Sequence, residues 1–568
     1  MTPRGFLIDI LNMMKSELET AITVATHELF DADVAAELTR PDAQFGDYAT
    51  NVALQLAKQL GKNPREVGEA LAAKLRTDLA DTVAEVSVAG PGFINLRLHD
   101  TALVALAHAE PVKTMTGQQV IAEYSDANPF KVLHAGHVYT TVVGDAIATL
   151  MENAGASVHR VNFGGDVGRH VAITMRAILQ EFGGEYPEKL AEIPEDQHAI
   201  WLSAQYVRGN TAFEDDDSVK AEVVELNKRI YALHTNNDHE SPFAQIYWTC
   251  RQWSYEAFDA FFARFGTKLE KYYPESEVAD LGLRTVKEHI GDVFQESDGA
   301  IVFDGDKYGL HTRVFINQQG LPTYEAKDVG LIARKYEDYH FDRSVIITDN
   351  EQAQYMQVVL KAIEQFWPDL VRATTHITHG KLKLVGGVKM SSRRGNIIRA
   401  NEVLEVTNQA LQDSGREASE TVMLGAVKYA FLRVRIGGDI IYDPKESIAL
   451  EGNSGPYLQY AHARARSILA KAEDAGTGEL SDLNTDERSL LRKITEYAEV
   501  VERATNELMP HHICTYLYEL AQTFNGFYER NRVIGDERQA ARLTLVRHYA
   551  DTLQKGLQLL GISAPDRM

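Results

Sequence analysis

The sequence predicts an α/β protein: a parallel-sheet domain carrying an insertion, placed between an N-terminal α+β module and a C-terminal α-helical bundle. Three observations predict it. Short apolar runs alternate with helical patterns through the middle of the chain, which indicates a parallel sheet. Two alternating strands joined by Gly90-Pro91-Gly92 read as a hairpin before that region begins. From about residue 446 to the end, each long segment repeats its apolar residues at helical spacing. At 568 residues the chain exceeds one ordinary domain, and three or four are expected.

In order, Thr2 reads as a helix cap with Pro3 behind it. Leu7, Ile10, Leu11, Met14, Leu18, Ala21, Ile22 and Ala25 then form a core stripe. A second helix is expected from Tyr48 to Leu60, stopped by Gly61, and a third from Asn63 as cap with Pro64 next. With the hairpin, these make a module over residues 1–112 in which nothing resembles catalysis. The run from Ile121 to Glu152 reads as strand, polar loop and helix, half of a nucleotide-binding βαβ unit. Val158 to Phe163 is a second strand, turned by Gly164-Gly165-Asp166. From about 175 to 300 the texture becomes charged, aromatic and helical, an insertion whose aromatics read as core. Gly299 to Phe303 and Arg313 to Ile316 read as strands where the sheet resumes. Lys327 to Tyr336 is helical, Ser344 to Thr348 a buried strand, and Thr375 to Gly380 another. The central domain is thus expected over 113–445 and the bundle over 446–568.

Apolar content of 44% and charged content of 24% are those of a globular chain without a membrane span, for which about 18 consecutive apolar residues would be needed. Two distant cysteines, Cys250 and Cys514, form no zinc-type spacing and no disulfide framework, which suits a reducing cytoplasm. No resident metal is expected. A net charge of -23 opposes indiscriminate nucleic-acid binding but leaves room for a local basic face.

Two loops carry chemistry. His134-Ala135-Gly136-His137 stands where strand and loop give way to a helix, presenting two imidazoles and free backbone N–H groups suited to phosphate. Such a pair alone is more often structural or a metal-site fragment. Lys389-Met390-Ser391-Ser392-Arg393, followed by Arg394 and Gly395, supplies cations and hydroxyls. Together they suit stabilisation of the negative charge that grows when a carboxylate attacks the α-phosphate of ATP. Neither loop contains a nucleophile, so the chemistry implied is positioning and electrostatics.

These loops resemble the HIGH and KMSKS signatures of the class I aminoacyl-tRNA synthetases, and the surrounding text resembles the arginyl-tRNA synthetases. The likeness spans Phe45 to Asn51, Asn128 with Lys131, Asn162 to Gly168, Pro322 to Asp328, Gly455 to Arg464 and the APDRM terminus. It implies a Rossmann-type catalytic domain that makes arginyl-adenylate from L-arginine and ATP with Mg2+, then charges tRNA(Arg), with no DNA or membrane partner. A monomer is expected. His134, Gly136, His137, Lys389, Met390, Ser391, Ser392 and Arg393 would meet ATP, and Lys131, His134, His137 and Lys389 would serve catalysis. Glu123, Tyr324 and Asp328 would hold the guanidinium, whose planar fork asks for carboxylates. Asn128 and Gln352 would contact the α-amino group. Asn51, Tyr457, Tyr460, Arg464 and Met568 would touch tRNA.

Departures and competing readings accompany this. Ser392 stands where the signature has its second lysine, and Lys131 is the implied stand-in. Ala540-Ala541-Arg542-Leu543 matches the bundle family's tetrapeptide only loosely. By residue type alone, Glu123 reads equally as a strand-end surface charge, Asp328 as a helix N-cap or first-turn acid and Lys131 as a solvated loop charge. Tyr457, Tyr460, His462, Arg464 and Arg466 read either as a base-stacking face or as ordinary helix surface. A small adenylyltransferase or a catalytically silent RNA-binding relative would share parts of the pattern. Labelled-tRNA binding separates the first, and protection by ATP against thermal unfolding the second.

Overall fold

The computed structural model describes residues 10–385, 398–416, 419–472, 476 and 478–568. Thr2, Pro3 and the entire Lys389 to Arg393 loop lie outside them.

In the N-terminal module, the helix Ile10–Phe30 buries Leu18, Ile22 and Ala25. Asn63 caps the helix Pro64–Asp78 by accepting the Arg65 N–H at 2.9 Å. One expectation is corrected. Tyr48–Thr50 is a strand, and the helix is confined to Val52–Leu60. The three strand residues pair antiparallel with Leu96 to Ile94 of the hairpin and are all buried. A three-residue strand is too short to show its period in the sequence, and sheet pairing outweighs the helical context.

The core of the molecule is a five-stranded parallel sheet in the order Thr374–His379, Arg343–Asp349, Gln119–Glu123, Ser157–Gly164, Lys271–Pro274. Val120, Ile121 and Ala122 are fully buried, as the continuous apolar run of a doubly covered strand requires. Strand order reverses between Gln119–Glu123 and Arg343–Asp349, and Glu123 ends the first of these opposite Ile346. Ligands in open α/β sheets bind at the carboxyl ends of the strands beside such a switch point.

Helices Arg169–Phe182, His198–Asp215, Asp217–Thr235 and Pro242–Arg264 pack on one another around Val171, Ile178, Leu202, Phe243 and Tyr247. Phe243, Tyr247, Phe258, Phe261 and Phe262 of the last helix are core, as expected, while Trp248, Trp253 and Tyr255 are half-buried. The chain re-enters the sheet at Lys271–Pro274, inside the span read as insertion. A four-residue strand opening with lysine carries too little apolar alternation to announce itself. Ala300–Phe303 and Arg313–Ile316 pair antiparallel in a separate three-stranded ribbon with Gln295–Ser297 and are not part of the main sheet.

The C-terminal helices include Gly455–Lys471, Thr485–Thr495, Tyr497–Glu507, His511–Arg530 and Gln539–Leu559. A polar joint ties them to the N-terminal module. Asp47 is fully buried and accepts from Leu98 N at 2.7 Å and Arg488 Nη2 at 2.7 Å. Arg492 lies 3.5 Å from the same carboxylate and donates to the carbonyls of Pro41 and Gly46. Arg40 and Tyr48 share Glu499 at 2.6 and 2.9 Å.

Candidate active site

The helix Ala135–Asn153 begins at His134, whose Nδ1 accepts the Gly136 N–H at 3.1 Å, while His137 Nδ1 accepts the His134 N–H at 3.0 Å. Reciprocal caps of this kind use the side chains to satisfy first-turn donors. With Nδ1 accepting, each neutral ring carries its proton on Nε2 as a spare donor. Burial lowers the pKa of His134 to about 4, with the Lys131 charge adding to it; burial, then His134 and Lys131, hold His137 well below the usual range. Both imidazoles are therefore neutral at pH 7. A Cβ on Gly136 would lie 2.9 Å from the His134 ring, so a side chain there would push that ring from its capping position.

The chain leaving the lysine–serine loop is bonded directly to this site. Ala135 N donates to Ile398 O at 2.9 Å and Ala400 N to Leu133 O at 2.9 Å. The strand entering that loop, Leu382–Leu384, pairs in parallel with Ile440–Tyr442. Both ends of the segment are thus fixed, one of them against the His loop itself.

A pH effect follows from the sign of the histidine shift. A group with folded pKa about 4, against about 6.5 unfolded, stabilises the fold above pH 6.5, and that contribution is lost as pH falls toward 4. His134→Asn keeps a capping acceptor without a titrating ring. The stability difference between the wild type and this variant is expected to move against the wild type by about 2 kcal/mol between pH 7 and pH 5. Denaturant melts at the two pH values test this, and a pH-independent difference contradicts the assignment.

Ahead of the His loop, residues 125–130 form a tight bend in which Ser125, Asp126 and Phe130 have φ of 78, 52 and 66°. Asn128 accepts from Gly165 N at 2.7 Å and donates to the Asp126 carbonyl at 3.1 Å. Asn162 clamps Ala127 by both backbone groups, at 2.8 and 3.3 Å. Both ends of Asn128 are thus engaged in holding the bend. Asp166, fully buried, joins the next turn to the insertion through Arg251 at 2.9 Å and to Ser276 Oγ at 2.7 Å. Lys131 is half-buried rather than a fully solvated loop charge. Burial lowers its pKa, opposed by nearby Glu275, and its ammonium stands 5.3 Å above the Tyr206 ring. It lines a cavity of about 440 Å³ with Leu133, Phe258, Phe261, Arg264 and Arg399.

The two predicted carboxylates are both buried. Glu123, 2% exposed, is ion-paired with the fully buried Lys335, which also reaches Ser344 Oγ at 3.4 Å. Its reading as a surface charge is excluded. Asp328 lies in the helix Tyr324–Tyr339 and accepts the Tyr355 hydroxyl; it caps nothing, since the N-cap residue is Thr323. Burial raises the Asp328 pKa to about 8; the Tyr355 hydrogen bond opposes this and Glu123 adds to it. Asp126 belongs to the same cluster. Burial, then Glu123 and Asp328, raise its pKa well above the carboxylate range, with Lys335 opposing. Sequence reasoning missed Asp126, Lys335 and Tyr355; Asp126 lies in the loop between Glu123 and Asn128, but nothing in residue type or spacing marked any of the three. Tyr324 is 56% exposed, with the Lys327 ammonium 5.2 Å from its ring, and Gln352 is exposed in the short turn after Asp349. These two lie at the surface, unlike the buried carboxylates.

In the bundle, Tyr460 and Met568 are exposed and Arg464 stacks on Tyr528 at 4.5 Å. Tyr457 is half-buried and accepts from Asn525 at 2.8 Å. His462 and Arg466 are neither a base-stacking face nor free surface. His462 is buried and donates to Pro565 O at 2.9 Å, while Arg466 pairs with Asp566 at 3.1 Å, holding the C-terminal segment. Asn51 is exposed, its carbonyl oxygen accepting from Gln55 at 2.7 Å.

Comparison with known proteins agrees along the whole chain. The model of the arginyl tRNA synthetase N terminal domain matches residues 14–98, that of the tRNA synthetases class I (R) catalytic domain residues 101–443, and that of the DALR anticodon binding domain residues 458–568. The arginine–tRNA ligase of Thermobifida fusca is 31% identical over 93% of this chain and 94% of its own length. That of Porphyromonas gingivalis W83 is 29% identical over 97% and 99%. Among solved structures, the Thermus thermophilus arginyl-tRNA synthetase superposes with a TM-score of 0.79 at 26% identity, covering 98% of this chain and all of that one. The Plasmodium falciparum enzyme shares the fold at a TM-score of 0.76 and 21% identity, covering 98% and 99%. With the catalytic-domain match alone spanning more than half of the residues, and the His loop and buried carboxylates in place at the sheet's switch point, the chain belongs to the arginyl-tRNA synthetase family of class I.

Proposed function

We propose that this chain, an ATP-dependent arginine–tRNA ligase, activates arginine at the carboxyl edge of its sheet and passes it to the 3′ end of tRNA(Arg). The observation that carries the reading is the cluster of buried Glu123 and Asp328 with half-buried Asp126, which has one buried ammonium, Lys335, among it. Such a site is short of positive charge, and a guanidinium supplies it in a planar, multidentate form.

The arginine carboxylate attacks the α-phosphorus of Mg-ATP, the P–O bond to the β-phosphate breaks, and pyrophosphate leaves. His134 and His137 donate from neutral imidazoles, while Lys131, Lys389 and Arg393 oppose the charge that grows on the phosphate. Lys131 takes the part of the signature lysine replaced by Ser392; its burial beside the His loop supports this. Met390 and Ser391 complete the ATP contacts, Tyr324 closes over the guanidinium, and Asn128 and Gln352 orient the α-amino group. Residues 1–112, with Asn51, meet the tRNA elbow. The inserted helices guide the acceptor end past the cavity beside Lys131. Residues 446–568 read the anticodon through Tyr457, Tyr460, Arg464 and Met568. The working form is a cytoplasmic monomer, and the free, buried Cys250 and Cys514 accord with a reducing compartment.

Aminoacylation of total tRNA with each amino acid in turn tests the reading. Arginine alone is expected to be charged, and arginine-dependent pyrophosphate exchange is expected only when tRNA is present. Robust exchange with cysteine or glutamine instead would refute the specificity.

A further inference from the structure

Asp126 is a half-buried residue whose carboxylate Oδ1 is itself buried and has no hydrogen-bond partner among the described residues. An unpaired buried acceptor is costly and calls for a partner that arrives from outside. The local fold goes to some lengths to keep it there. Ser125 and Asp126 both take left-handed backbone conformations, a costly arrangement for two successive non-glycine residues. The bend is then locked by Asn128 onto Gly165 and by Asn162 onto Ala127. The Asp126 carbonyl serves that lock, accepting from Asn128; its Oδ1 does not.

The groups that face Asp126 come from two elements. Glu123 ends the adjoining strand, and Asp328 and Lys335 project from the helix Tyr324–Tyr339. Tyr355 and Glu275 act on it through Asp328, the first by donating to that carboxylate and the second by repulsion. Lys335 is committed to Glu123 and the Tyr355 hydroxyl to Asp328. Asp126 is the member of the cluster with an open acceptor.

We propose that Asp126 is a third carboxylate of the arginine site, its Oδ1 accepting from a cationic nitrogen of the bound amino acid, and that arginine entry drives a proton from this carboxylate cluster into solvent. The proposal rests on the arginine reading given above. The proton balance is simple: a carboxyl O–H in the empty site ionises as the substrate cation takes the proton's place. Burial that favours the neutral acid in the empty site gives way to ion pairing in the filled one. Because the ionised site binds arginine, affinity rises with pH up to the region where Asp328 titrates, about 8.

Asp126→Asn is the test, since asparagine accepts the left-handed backbone and preserves the shape while removing the titration. Asp126→Gly, which carries no Cβ into that conformation, is the second variant. Arginine is titrated into the full-length, tRNA-bound enzyme by calorimetry at pH 6.5 and 8, in two buffers of different ionisation heat. The wild type is expected to release protons and to bind more tightly at pH 8. Asp126→Asn is expected to release fewer protons and to bind arginine about tenfold more weakly at pH 8, as loss of a charged hydrogen-bond partner implies. The ATP KM should be unchanged in both. Wild-type affinity and proton count in both variants would overturn the role of Asp126. Failure of arginine to bind the wild type, with charging of a different amino acid, would overturn the parent reading instead.

Discussion

Asp328→Asn is expected to raise the KM for arginine by about 30- to 150-fold, corresponding to roughly 2–3 kcal/mol for a hydrogen bond to a charged group, while leaving the KM for ATP close to wild type. Asparagine keeps the shape and can still accept the Tyr355 hydroxyl, so the fold should survive. It cannot offer a guanidinium two anionic oxygens, and discrimination against lysine and citrulline should narrow with it. Steady-state kinetics with the three amino acids, in the presence of tRNA, check this. Unchanged arginine kinetics would remove Asp328 from the site. Glu123 is the less informative probe. Its removal leaves the buried Lys335 ammonium without its ion-pair partner, which costs about 3–5 kcal/mol of stability by itself and confounds any loss of activity.

Asp47→Ala is expected to produce the largest loss of stability away from the active site, about 3 kcal/mol, because it removes the buried carboxylate shared by Arg488 and Arg492 and leaves the Leu98 N–H without its acceptor, while Arg492 keeps Glu496 at 2.9 Å. Arg488 retains Asp100 at 3.0 Å, which limits the loss. The joint links the two modules proposed to grip tRNA, so the tRNA KM should rise while arginine-dependent kinetics at saturating tRNA stay near wild type. Calorimetric melting with tRNA titrations checks both parts. An unaltered melting profile would show that the joint contributes nothing.

The Asp47 joint also illustrates how the sequence can identify a segment and misplace its purpose. Phe45 to Asn51 stood out as a match in a module expected to contact RNA. Its Asp47 and Tyr48 turn inward onto arginines and a glutamate of the bundle, and Asn51 faces solvent. Nothing local distinguishes an aspartate that meets phosphate-bound water from one that meets Arg488, more than four hundred residues away. The same holds for His462 and Arg466, whose helical spacing was visible but whose partner, the C-terminal segment, was not.

By itself the sequence determined what short-range physics can specify. The fully apolar strand at Val120 to Ala122 announced a doubly covered sheet, and Asn63-Pro64 marked a helix start. The His134 to His137 loop marked a helix N-terminus. Periodicity, caps and turns are properties of a few adjacent residues, so they can be read in order. The tertiary structure alone decided how buried charge is compensated. It took Glu123 from the strand end into a pair with Lys335, set Tyr355 on Asp328 and left Asp126 with an open acceptor. It also returned Lys271–Pro274 to the sheet. The physical reason is that the ionisation and worth of a buried group depend on every charge around it, and packing, not chain order, chooses those neighbours.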